Sequence, residues 1–141
     1  MIKTVTRKLS FFVIIVTAVA ACFVGLAFAL EPEMRPQRIV LQQEMLSDQL
    51  HDIRLIRVVY PPGYVAPPHE HPEPGMGYVV EGCMKSGFGD EKTQIFKTGE
   101  SFVERSDKPH MVIENCDPGH DLVMLITFAA EKGQDILTPL K

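Results

Sequence analysis

Along most of the chain, apolar positions come in short runs rich in β-branched and aromatic residues, broken by Gly, Pro and Asp clusters. Ile53–Tyr60 (IRLIRVVY) is such a run and stops at Pro61-Pro62-Gly63. Tyr78–Glu81 ends at Gly82, and another strand opens at Cys83. Thr93–Lys97 ends at Thr98-Gly99, Ser101–Glu104 follows, and Met111–Glu114 runs into Asn115-Cys116-Asp117-Pro118-Gly119. Leu122–Ala129 is a longer apolar run before Gly133. Short strands at this spacing predict an all-β sandwich or barrel. Only Gln42–Leu50 is ambiguous between helix and strand.

The first residues follow a different pattern. Met1–Lys8 carries Lys3, Arg7 and Lys8 and no acid, and Leu9–Ala29 is almost wholly apolar, ending in Ala27-Phe28-Ala29. A basic start, an apolar stretch and a small-x-small exit describe a secretory signal peptide over residues 1–29. Residues 30–37 then read as a linker and 38–141 as the domain. An uncleaved anchor fits the same stretch, since about 20 apolar residues span a bilayer. So does a lipoprotein processed at Val19-Ala20-Ala21-Cys22. Each reading places the domain outside the cytoplasm: periplasmic or secreted, or held at the inner membrane.

Composition narrows the class. The chain has 141 residues, 45% hydrophobic and 23% charged, with a formal charge of −4. That suits one domain and excludes a multidomain enzyme, a disordered chain or a coiled coil. Losing the leader removes three basic residues and no acid, leaving −7. With no basic run, nucleic-acid binding is excluded as a reading. Cys83 and Cys116 survive cleavage, either paired or as two buried thiols.

Candidate chemistry lies in two stretches. In the first, His69 and His71 stand two apart, so on a strand they project from one face. Two imidazoles so placed can take adjacent corners of a metal's coordination sphere. The second stretch runs from Gly99 through Glu104 to His110.

Together these stretches resemble the cupins, small jelly-roll barrels with two metal-binding motifs. In the family's first motif, G-x5-H-x-H-x3,4-E-x6-G, Gly63, His69, His71 and Gly82 fall in register. Gly99 and His110 match the second, with Asn115 one place late. The resemblance covers about residues 38–139 and implies a cupin double-stranded β-helix. It also implies one divalent metal (Fe, Mn, Ni, Cu or Zn) on His69, His71 and His110. In the family such sites serve dioxygenases, isomerases and decarboxylases.

There are departures. The family's glutamate position holds Gly75, with Glu73 two residues away in a Pro-flanked turn, and Arg105 and Asp107 occupy the second motif's Pro and Gly positions. Glu104 offers a replacement: if the apolar Phe102 faces the core, strand alternation turns Glu104 inward too. A buried carboxylate needs a cation or hydrogen bonds. A metal supplies one; pairing with Arg105 or Arg57 is the alternative. His51 and His120 read as surface residues. Tyr64, Met76, Tyr78, Phe88, Phe96 and Phe102 are candidates for pocket walls or plain core. A jelly roll would set Cys83 and Cys116 on antiparallel neighbours, within reach of a cross-strand bond.

The resulting expectation is an exported cupin that binds one divalent metal and acts on a small oxygen-containing molecule. The alternative is a non-catalytic cupin that binds or senses a small molecule, with or without metal. A homodimer is a further expected partnership, and membrane contact is confined to the N-terminal segment.

Overall fold

The computed structural model describes residues 35–141; the leader, its cleavage point and Cys22 lie outside the described residues. Ten strands follow in order: β1 (Gln37–Met45), β2 (His51–Tyr60), β3 (His69–Glu70), β4 (Gly75–Glu81), β5 (Cys83–Phe88), β6 (Gln94–Lys97), β7 (Ser101–Glu104), β8 (His110–Asn115), β9 (Leu122–Glu131) and β10 (Thr138–Pro139). They form two antiparallel five-stranded sheets, ordered β1-β2-β9-β4-β7 and β10-β3-β8-β5-β6. No helix occurs among the described residues.

The expected period of two organises both sheets. In β4, Gly75, Gly77 and Val79 are buried while Met76, Tyr78 and Val80 are exposed. Ile56, Val58, Val79, Met84, Phe102, Ile113, Leu122, Met124, Ile126 and Phe128 form the core between the sheets. Each such side chain contributes roughly 1.5–3 kcal/mol through burial. Met76 and Tyr78 therefore wall no pocket. They lie on the outer face of the first sheet with Ile53 and Val103, which are also exposed.

The first half of the stretch ambiguous between helix and strand, Gln42–Met45, belongs to an edge strand that begins at Gln37. β1 pairs with β2 from Gln37 to Met45, with a bulge between Val40 and Gln42. Nearly all of it is exposed, so no alternation marks it in the sequence.

Two motif glycines have a backbone reason. Gly82 (φ 89°) and Gly99 (φ 91°) sit in the left-handed region, where a side chain strains the backbone. A Cβ on Gly82 would also meet the Asp121 carbonyl oxygen at 2.6 Å. Asn115 is buried and its amide nitrogen lies within 3.1 Å of the carbonyls of Tyr60, Pro61 and His120. It ties the end of β2 to the turn entering β9, a structural role. Cys83 and Cys116 are joined in a disulfide, with Cα atoms 5.4 Å apart. The Cys116 amide also donates to the Cys83 carbonyl.

Candidate metal centre

The site is built on the inner face of the second sheet. His69 on β3 and His110 on β8 are direct register partners, so both rings point inward. Backbone that follows Glu70 brings His71 back to the same side. All three are buried, and one ring nitrogen from each lies within 4.8 Å of the others.

What fixes each ring is the nitrogen facing away from the cluster. Nδ1 of His69 lies 3.0 Å from the Pro67 carbonyl, and Nδ1 of His71 lies 2.8 Å from that of Ile136. A carbonyl only accepts, so both protons sit on Nδ1 and both Nε2 atoms carry lone pairs. Anchoring of this kind sets tautomer and ring orientation at metal sites. His110 is held by Ser86, whose Oγ lies 2.8 Å from Nε2. Its ring stacks on Phe88 at 4.1 Å, while that of His71 stacks on Phe128 at 5.1 Å.

Glu104 completes the cluster from the opposite sheet. Strand β7 places Phe102 and Glu104 inward, as alternation predicts. Its Oε2 lies 2.9 Å from His110 Nδ1 and 3.3 Å from His71 Nε2. Yet Oε2 and His110 Nδ1 are both buried without a well-aligned hydrogen-bond partner.

The register sets Glu104 beside the family's glutamate position. Gly75 on β4 is the direct cross-strand partner of Glu104 on β7. A carboxylate thus stands one strand over from that position, on the same face of the sheet. Phe128 fills the space above Gly75, where a Cβ would lie 2.5 Å from the ring.

The arrangement has a specific electrostatic demand. The Nε2 atoms of His69 and His71 stand 3.2 Å apart, two lone pairs facing one another beside a carboxylate oxygen. A metal cation or an added proton relieves that. Two ligands about 2.1 Å from a metal at right angles are themselves about 3.0 Å apart. The donor set, three imidazoles and one carboxylate, therefore suits a divalent metal. Without one, protons serve. Burial works to raise the Glu104 carboxyl, but contacts with His110 and His71 outweigh it and hold it at about 2. Burial likewise opposes charge on His71, but the Glu104 carboxylate prevails and raises its pKa. His69, buried and lacking that partner, is lowered.

The other candidates lie elsewhere. His51 pairs with Asp48 at 2.7 Å and His120 with Asp117 at 3.1 Å, both at the surface. Glu73 is outside the cluster and its charge acts on His51. Arg105 engages Glu91 and Asp107, so it is not the partner of Glu104. Sequence reasoning missed Ser86, Phe88 and the Ile136 carbonyl. Each reaches the site through space, with no motif spacing to mark it.

A jelly-roll barrel with a buried histidine cluster at its centre defines a class of small-molecule and metal-binding proteins. Its cupin domain spans residues 56–128, and the chain belongs to the cupin family. No curated protein sequence matches it. Among solved structures it is similar to an uncharacterised double-stranded β-helix protein from Klebsiella pneumoniae. That protein is 16% identical, covering 82% of this chain and 92% of the other, with a TM-score of 0.59. It is similar also to a polyketide cyclase from Streptomyces resistomycificus, 20% identical over 75% of this chain and 71% of that one, TM-score 0.56. A recombinant oxalate oxidase in complex with glycolate is 16% identical over 77% of this chain, TM-score 0.56. This chain spans only 56% of that enzyme's length. At such identities the likeness is one of fold.

Proposed function

We propose that the protein is an exported cupin that holds one divalent metal on His69, His71, His110 and Glu104 and binds a small oxygen-containing molecule there. The observation that carries this is the convergence of buried Glu104 Oε2 with ring nitrogens of His71 and His110, without a well-aligned hydrogen bond, beside two lone-pair nitrogens 3.2 Å apart. Buried polar atoms this close without good hydrogen-bond geometry are uncommon in folded proteins. A metal with open positions polarises an oxygen-bearing ligand. The protein's part is to fix the His69 and His71 tautomers through the Pro67 and Ile136 carbonyls, to orient the His110 ring with Ser86, and to keep the site dry with Phe88 and Phe128. Export is supported by the leader pattern and by a disulfide suited to an oxidising compartment.

A second reading, a non-catalytic binding or sensing cupin, is favoured by how closed the cavity is. Its free volume is about 20 Å³, close to the size of one water, and Ile136 and Leu137 help line it. Turnover on a substrate panel separates the two readings. The metal itself is tested by elemental mass spectrometry on untagged protein purified without chelator. About one equivalent per chain, lost in His69→Ala, supports the site. No metal after reconstitution with iron, manganese, nickel, copper or zinc overturns it.

A further inference from the structure

The cavity holding the histidines contains one charged side chain that the metal reading does not use. Arg38 lies on β1 directly opposite Val58, so it projects from the core face of the first sheet. Val58 pairs in turn with Met124, and Met124 with Val79, all three buried. One row of the sheet thus reads arginine, valine, methionine, valine. An arginine on the core face of a strand is out of pattern, although Arg38 keeps access to solvent at the sheet edge.

Among the described residues no carboxylate answers it. Its Nη2 donates to the Tyr60 hydroxyl at 3.1 Å, and its guanidinium lies 5.8 Å from the Tyr60 ring centre. Tyr60 is buried, and its own hydroxyl proton is bonded to nothing else among the described residues. Both groups line the cavity that His69, His71 and Glu104 line. The cavity thus presents a guanidinium and a phenol with no carboxylate in salt-bridge contact among the described residues, the one carboxylate of its lining, Glu104, being set against His71 and His110. Its remaining walls, including Ile56, Val58, Met124 and Ile126, are apolar.

We propose that Arg38, with the Tyr60 hydroxyl, is the recognition end for a small carboxylate that enters the barrel mouth and reaches toward the histidine cluster. The proposal rests on the metal-site reading for what lies at the far end of the ligand, and on Arg38 and Tyr60 alone for the carboxylate. A planar guanidinium meets a carboxylate through two parallel hydrogen bonds, the strongest such pairing available to a side chain. Apolar walls suit a short aliphatic body. With only about 20 Å³ free, the ligand needs space that a lining group now fills. Arg38 is the lining residue still exposed to solvent, so it can swing aside and close over the ligand. The competing explanation is that an inward charge on an edge strand guards against edge-to-edge pairing with another chain.

The test is a titration of the Zn(II)-loaded protein with acetate and with its neutral isostere acetamide, followed by ¹H–¹⁵N correlation spectra that include the arginine Nε–Hε signals. Acetate is expected to shift the Arg38 signal saturably and acetamide to leave it in place. Arg38→Gln should weaken acetate at least tenfold while Zn(II) affinity stays within twofold, and Arg38→Lys should fall between. Unchanged acetate affinity in Arg38→Gln overturns the proposal. So does a change confined to its sedimentation behaviour, which would make Arg38 an edge guard. If the wild type takes up no zinc, the metal reading fails. The same titration on metal-free protein then still decides the role of Arg38, since the shift of its Nε–Hε signal needs no metal.

Discussion

A single methyl group tests the account of why this barrel carries its carboxylate on β7. In Gly75→Ala the new Cβ would stand 2.5 Å from Phe128 Cε1 and 2.8 Å from Cδ1 and Cζ. Ordinary contact begins near 3.4 Å, so the ring edge must retreat by about 0.9 Å. Phe128 has little room: it is 2% exposed and stacks on His71. Overpacking of this kind costs about 1–3 kcal/mol. Replacing glycine returns about 0.4–1 kcal/mol by restricting the unfolded chain. A net loss of about 1–2 kcal/mol remains, or roughly 5–10 °C in Tm for a domain of this size. Guanidinium unfolding of metal-free Gly75→Ala, alone and combined with Phe128→Leu, measures it. Leucine removes the ring atoms that clash, so the double variant should lie well above the sum of the two single losses. A Gly75→Ala protein as stable as wild type, or losses that simply add, would refute the claim that Phe128 has closed the position.

Three further outcomes follow from the site. Glu104→Gln should lower metal affinity at least about 10–100-fold, the loss typical of groups even one step removed from a metal; isothermal titration with Zn(II) giving wild-type affinity would remove Glu104 from the ligand set. In metal-free protein the Glu104 carboxyl is depressed from 4.5 to about 2, so the stability it adds is full above pH 4.5 and lost as pH falls through 2. Unfolding free energies of wild type and Glu104→Gln should therefore draw together from pH 4.5 downward and meet below pH 2; a gap at pH 2 as wide as at pH 5 would contradict the assignment. Replacing Cys83 and Cys116 by serine releases a loop of 33 residues and should cost about 3–4 kcal/mol in denaturant unfolding, whereas a cost under about 1 kcal/mol would deny the bond a part in stability.

How legible all this was depends on where each contact comes from. β2, β7 and β9 show in the sequence because one face of each is buried and the other wet or half-wet, so alternation survives. The same alternation turned Glu104 inward from the position of Phe102 alone. β1 was illegible because an exposed edge imposes no pattern, and with it went Arg38, whose inward direction follows only from its pairing with Val58. β3 and β10 are two residues each, too short for any period. His69 and His71 were legible from spacing. That Gly75 faces Glu104 across a strand pair is a fact of register, which no single strand carries. The partners Ser86 and Ile136 lie 24 and 65 residues from the histidines that they hold.

The disulfide divides the proposed ligand set evenly. Glu104 and His110 lie inside the covalent ring closed by Cys83 and Cys116, together with Ser86 and Phe88, while His69 and His71 lie outside it. Once that ring closes, one carboxylate and one imidazole are confined to a small volume even in an unfolded chain, and the other two donors still wander freely. Oxidation thus splits assembly of the centre into stages: half of the donors are gathered by a covalent bond, and the rest are delivered when β3 docks beside β8. A reducing environment erases that first stage and leaves all four side chains to be gathered by folding alone.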